Sequence, residues 1–181
     1  MRRLLTTRTW LVRLFAGLVL AAAFVTLGLW QLDRNEQRQE RNAILEENLN
    51  RDPLPIDAAA GPQRPLDPAD EWSTVQVSGR YDVENQLVIR LRPLGGQPGV
   101  HVLTPLVTDD GGAVLVDRGF VPAPGADIPE LPAPPDGVVE VVGRARVSEE
   151  GRGPGGDPSS GSIRYVDLDE LGGVVPHPLY G

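Results

Sequence analysis

The sequence predicts a membrane-anchored, mainly β protein: an N-terminal transmembrane helix followed by a small antiparallel β barrel or sandwich. Three observations carry that prediction. Residues Leu14 to Leu32 form a run of nineteen without a charged side chain. All 18 prolines and 19 of the 21 glycines lie beyond Asp52. Between those breakers, short segments alternate apolar and polar residues with the period of two that marks a strand.

Residues 1–13 read as a cytoplasmic basic N-terminus. Arg2, Arg3, Arg8 and Arg13 are the only charged side chains before Asp33, which places the body on the outer side. Residues 14–32 as a helix span about 28 Å, close to the hydrocarbon thickness of a bilayer. Trp10 and Trp30 are twenty residues apart, so one indole falls near each interface. The alternative is a cleaved signal peptide, with Ala21-Ala22-Ala23 as an Ala-x-Ala site. The apolar run continues past that site through Phe24, Val25, Leu27, Leu29 and Trp30, which favours a retained anchor.

Residues 33–52 continue as a juxtamembrane helix, free of proline, with a thin apolar stripe of Ala43, Ile44, Leu45 and Leu49. Glu47 and Arg51 stand at i, i+4 and support it. Asp52-Pro53 stops it, because the residue before a proline disfavours the helical conformation. Residues 53–71 read as a linker. The exported β domain then occupies residues 72–181. Strands are expected near 72–78, 86–91, 100–107, 113–117 and 138–147, with 163–168 as an added edge strand; those at 72–78, 86–91 and 138–147 place their apolar residues on one face. Thr108-Asp109-Asp110-Gly111-Gly112 is a hairpin turn between two of them. Residues 122–135 read as a stiff, proline-rich surface loop, and 149–162 as a disordered loop rich in Gly, Pro and Ser.

The chemical inventory is sparse. There is no cysteine, which excludes disulfides and thiolate ligands, and all 17 basic residues are arginine, which excludes Schiff-base chemistry. From Asp33 onward 25 acids face 13 arginines, an acidic body unsuited to nucleic acid. His101 lies within a strand with no second ligand in its alternation, and His177 sits in Pro176-His177-Pro178. Neither has metal-ligand spacing around it. No Gly-x-Ser-x-Gly elbow occurs. Gly95-Gly96-Gln97-Pro98-Gly99 opens no helix and reads as a turn rather than a phosphate cradle. Arg118 closes an apolar strand, where an ion pair is the simplest expectation. The residues point to a protein that is not an enzyme.

Three segments together resemble the Surfeit locus protein 1 family of cytochrome c oxidase assembly factors. Leu27-Gly28-Leu29-Trp30-Gln31-Leu32-Asp33-Arg34 is similar to the family's signature leaving its first membrane helix. Pro98-Gly99-Val100-His101-Val102-Leu103-Thr104-Pro105-Leu106 is similar to its Gly-x-x-x-x-Thr-Pro-Leu strand. Val114-Leu115-Val116-Asp117-Arg118-Gly119-Phe120-Val121-Pro122 resembles its Val-Asn-Arg-Gly-Trp-Val-Pro segment, with Asp117 for the usual Asn and Phe120 for the usual Trp. The motif residues carried over are Gly28, Trp30, Gln31, Arg34, Gly99, Thr104, Pro105, Arg118 and Gly119. Family members close with a His-x-x-Tyr-type motif entering a second membrane helix. Leu179-Tyr180-Gly181 falls where that region begins, so the expectation is a form without the C-terminal membrane helix, either a shortened member or a fragment of a longer chain.

The resemblance implies a single-pass protein of a bacterial cell membrane that assists haem a insertion into, or stabilisation of, the oxidase catalytic subunit. Its implied partners are that subunit, other assembly factors and the lipid bilayer, with no nucleic acid. No cofactor is expected in the chain itself. Haem a enters only as transient cargo, because the family's haem-handling histidine has no counterpart and neither His101 nor His177 replaces it. A different class of function stands beside this one: an exported, membrane-anchored ligand-binding or cell-envelope interaction module unrelated to the oxidase. An envelope hydrolase using His101 or His177 is a third.

Overall fold

The computed structural model describes residues 8–125, 127–152 and 155–181. The chain divides into two compact units, one ending at Glu46 and the other beginning at Glu47.

The first unit is a single helix, α1 (Arg8–Asn50), whose last four residues belong to the second unit. Nothing in its 43 residues breaks it, since proline is absent and both glycines are isolated. It is long and apolar enough to cross a membrane. Its large apolar side chains, such as Phe15 (69%), Leu18 (62%) and Leu29 (62%), are exposed on all sides. A helix apolar all round requires an apolar surrounding. Past Leu32 the helix is held by i, i+4 contacts of its own: Gln37 Nε2 donates to Asp33 Oδ2 (3.1 Å) and Arg41 Nε to the Gln37 carbonyl (3.4 Å).

The second unit is a seven-stranded mixed sheet that does not close into a barrel. Its strands are β1 (Leu54–Pro55), β2 (Thr74–Tyr81), β3 (Leu87–Ile89), β4 (Gly99–Val107), β5 (Ala113–Pro122), β6 (Val139–Arg144) and β7 (Ser162–Ile163). Strands β6, β2, β4 and β5 are antiparallel neighbours in that order. Along one edge, β4 pairs first with β3 at residues 101–103 and then with β2 at 106–107. The two-residue strands β1 and β7 add in parallel to β2 and β3. The expected antiparallel barrel or sandwich is therefore corrected to a mixed sheet that is not closed into a barrel. Strands of two residues are too short to show alternation, which is why the parallel pairings left no mark in the sequence.

Residues 53–71 are part of this body rather than a linker. β1 leads directly into the short helix α2 (Ile56–Ala59). Ile56, Ala60 and Leu66 are buried with Val75, Val77, Leu106 and Tyr180 in the largest core cluster. Asn48, at the end of α1, is 2% exposed and donates to the carbonyls of Ala69 (2.7 Å) and Glu71 (3.0 Å). Arg51 bonds Glu47, as the i, i+4 spacing predicts, and also Asp70.

Two further clusters complete the core. Leu87, Ile89, Leu103 and Ile163 pack with Leu171 of helix α3 (Leu168–Leu171). Val88, Val100 and Ala123 pack with Val121 and with Leu131 from the proline-rich loop. The expected strand at 163–168 is instead β7 followed by α3. Of the expected disordered loop 149–162, residues 153 and 154 lie outside the described residues. Among the others, Glu149 accepts from Arg92 and from Val166 N (2.9 Å), and Asp157 caps a one-turn 3-10 helix at 158–160.

Candidate functional site

The two strand motifs lie side by side. Strand β4 pairs with β5 from Gly99↔Pro122 to Val107↔Ala113, through the turn at 108–112 that the sequence predicts. The pairing slips once. His101 faces Phe120 and Leu103 faces Asp117, so two steps on β4 oppose three on β5. The extra residue is a β-bulge built from Asp117-Arg118-Gly119.

Each residue of the bulge has a physical task. Asp117 Oδ1 accepts from Gly119 N (2.9 Å), closing the chain on itself, while Oδ2 meets His101 Nδ1 across the strands (2.8 Å). Gly119 takes φ +118°, a conformation that a side chain makes costly. Arg118 is thereby aimed off the regular pleat. Its Nη1 donates to Gln86 Oε1 (2.9 Å), with Thr104 Oγ1 at 3.5 Å, and its Nη2 donates to the Pro132 carbonyl (2.7 Å). The guanidinium carbon stands 5.5 Å from the centre of the Tyr81 ring.

The Arg118 partners are neutral, so the ion pair expected at this strand end is replaced by a cation held by carbonyl oxygens and a ring face. Thr104 is fully buried and donates to the same Gln86 oxygen (2.9 Å), leaving its own lone pair to Arg118. Burial pushes the Tyr81 phenol above its ordinary value, and the Arg118 cation pulls it part of the way back.

Pro105 and Gly99 serve the backbone. Pro105 lies where β4 exchanges one neighbour strand for the other, between the β3 and β2 pairings, so its missing N–H costs no ladder bond there. Its carbonyl accepts from Asp82 N (2.8 Å). At Gly99 the Phe120 ring occupies the place of a side chain: an added Cβ would stand 2.3 Å from Cζ. The same ring meets His101 edge-on, with centroids 5.6 Å apart.

The remaining predicted residues are on α1, in the other unit. Arg34 lies over the Trp30 ring at 5.6 Å, one turn along the same helix. Trp30, Gln31 and Gly28 are exposed, and a Cβ at Gly28 would meet nothing within 4 Å. His177 Nε2 lies 3.2 Å from Asp82 Oδ2, whereas His101 meets Asp117. Among the described residues, no group of three or more His, Asp or Glu side chains is placed to hold a metal ion.

Sequence reasoning missed Gln86 and Pro132, which give Arg118 its acceptors, and Tyr180. The Tyr180 hydroxyl donates to Asp57 Oδ1 (2.8 Å) and Asp110 Oδ2 (2.9 Å), tying the chain's last residues to α2 and to the β4–β5 turn. Asp110 in turn accepts from Thr108 Oγ1 and Gly112 N. These bonds hold its carboxyl below the ordinary value, that of Thr108 contributing most. Burial, then the hydrogen bonds to Asp57 and Asp110, push the Tyr180 phenol far above its own. No local motif marks such residues, because their partners are brought in from distant parts of the chain.

The SURF1 family profile matches residues 18–180. An uncharacterised SURF1-like protein of Mycobacterium tuberculosis is 35% identical over 127 residues, 70% of this chain and 47% of the relative. Surfeit locus protein 1 of Takifugu rubripes is 30% identical over 178 residues, 85% of this chain and 70% of its own length. The human Surfeit locus protein 1 is 28% identical over 173 residues, covering 82% and 55% of the two chains. The chain thus spans about half the length of the mycobacterial relatives it matches. With the profile running from within α1 through both strand motifs to Tyr180, the chain belongs to the SURF1 family.

Proposed function

We propose that this protein is a membrane-anchored, non-enzymatic assembly factor for cytochrome c oxidase. In this reading it assists haem a insertion into, or stabilises, the catalytic subunit. The observation that supports it most is family membership across the exposed apolar helix and the bulged β4–β5 hairpin together. A factor of this kind acts through contact area. Helix α1 is retained as a membrane anchor, N-terminus cytoplasmic, and offers Gly28 for close approach of a neighbouring helix. Trp30 and Gln31 then lie at the outer interface, where a polar side chain bonds a partner without crossing hydrocarbon. The body carries the Arg118 hairpin outside the membrane. Haem a is cargo of the client and not a resident group of this chain.

The test is haem a content and subunit composition of the oxidase in membranes of cells lacking the gene, with complementation by the 181-residue chain. Loss of haem a or of assembled oxidase, restored by the chain, is the expected result. Unchanged oxidase in the deletion strain would exclude the reading and leave an oxidase-independent envelope module.

A further inference from the structure

The polar part of α1 sorts its charges by face. Residues 33–46 carry Arg34, Arg38 and Arg41 and the acids Asp33, Glu36, Glu40 and Glu46, all exposed. At about 3.6 residues per turn, the three arginines share an arc of about 60°. Asp33, Glu36 and Glu40 share a second arc of about 60°, centred about 130° away, and Glu46 lies off both.

No arginine in this stretch stands at i, i+3 or i, i+4 to an acid. Instead, Asp33–Glu36, Arg34–Arg38, Glu36–Glu40 and Arg38–Arg41 set like charges at those spacings, and each pair weakens an isolated helix. A solvated helix gains from the opposite choice, which Glu47 and Arg51 make just beyond, at 3.1 Å. Among the described residues the three arginines make no ion pair. Arg34 lies over the Trp30 ring, and Arg41 donates to the Gln37 carbonyl. Neither face is neutralised within the helix.

The two faces fit one another on separate copies. Chains anchored by the uncharged run 14–32 cross a membrane in one direction and at one depth. Arg34 then stands level with a neighbour's Asp33, Arg38 with its Glu36 and Arg41 with its Glu40, at axial offsets of about 1.5–3 Å. Exposed ion pairs are weak singly. Three in register, between chains confined to a bilayer, gain from a raised effective concentration. Anionic headgroups match less of the face, because Arg41 rises about 14 Å beyond Leu32, past a headgroup layer of about 5–8 Å.

We infer that α1 self-associates in the membrane, with copies parallel and side by side. The Arg34, Arg38 and Arg41 face of one copy meets the Asp33, Glu36 and Glu40 face of the next. The contact is heterologous, so each copy keeps a second face for a further neighbour. The inference rests on the anchor reading of α1 and not on the oxidase role.

The test uses the full chain in phosphatidylcholine vesicles. The sequence has no cysteine, so Asn35→Cys, off both faces, takes a donor or acceptor dye. Energy transfer above the random-encounter level is expected. It should fall at least about twofold between 0.1 and 1 M salt, as the screening length drops from about 10 to about 3 Å. The triple variant Arg34→Glu, Arg38→Glu, Arg41→Glu should lose transfer, as should Asp33→Arg, Glu36→Arg, Glu40→Arg. Mixing the two variants, donor on one and acceptor on the other, should restore it. Transfer that persists in either variant alone, or that ignores salt, would overturn the inference. A wild-type chain that stays monomeric would do the same, leaving the arginine face to another protein or to headgroups. A chain that does not remain with the vesicles would overturn the anchor reading and this inference with it.

Discussion

Arg118 shows how a single position is specified by its neighbours. Its guanidinium spans Gln86 on one side and the Pro132 carbonyl on the other, a reach that requires a planar fork. The substitution Arg118→Lys keeps the charge and loses one of those bonds. It is expected to cost about 1–2 kcal/mol, and Arg118→Ala about 2–3 kcal/mol, in urea unfolding of the body. Gly119→Ala is expected to cost about 1–3 kcal/mol, because φ +118° is closed to a side chain. Of this arrangement, the sequence revealed Arg118, Gly119 and Thr104 through their motifs. Gln86 stayed hidden because it lies 32 residues from Arg118 and no local pattern distinguishes an acceptor from any other surface amide.

Stability depends on pH at both extremes through Asp110, lowered chiefly by its Thr108 bond, and Tyr180, raised chiefly by burial. Asp110 has a folded-state pKa below its reference value of 3.8, so its contribution is complete above that value and is lost as the pH falls through the folded one. Tyr180 is raised above 10.0, so its contribution is complete below pH 10.0 and is lost as the pH rises towards the folded value. Unfolding midpoints followed across pH should therefore show a shallower alkaline limb for Tyr180→Phe and a shallower acid limb for Asp110→Asn. Unchanged limbs would mean that these bonds do not persist in solution.

Among the elements, helix α1 was the most legible, since a long unbroken apolar segment needs no tertiary context to declare itself. The strands β2 and β6 were legible by alternation, and β4 and the first half of β5 by the turn between them, whereas the second half of β5, to Pro122, was not. Residues 53–71 were not, because prolines and short polar runs obscured Ile56, Ala60 and Leu66, whose burial depends on β2 and Tyr180. The end of α1 carries a prediction of its own. Asn48→Ala removes the donor to two carbonyls in a nearly solvent-free position, and is expected to cost about 1–3 kcal/mol by denaturant unfolding. In contrast, substituting Trp30, Gln31 or Arg34 with Ala should leave the unfolding midpoint within experimental scatter while lowering assembled oxidase in membranes. Normal oxidase in all three would remove these residues from the proposed interface.

For the whole molecule, the motifs were informative about where its relatives lie. On the proposed reading, this acidic body without lysine or cysteine acts through contact surface. Core substitution separates that surface from the fold that carries it: Leu106→Ala, at a fully buried position, is expected to cost about 2–5 kcal/mol in unfolding experiments. The openness of the sheet was not legible, because closure is a property of edges that meet only in three dimensions.

The bulge also imposes a parity on β5. Before it, the even-numbered Val114 and Val116 share a face with Leu106 and Thr104; after it, the odd-numbered Val121 stands opposite Val100 on that same face. The two halves of the strand are thus read in different frames, and three residues perform the change of frame. A deletion of one residue within 117–119 gives a regular ladder in which both halves keep their faces, but it removes the bulge that aims Arg118 at Gln86 and Pro132. Length variation among relatives should accordingly collect in the 108–112 turn and be absent between Ala113 and Pro122.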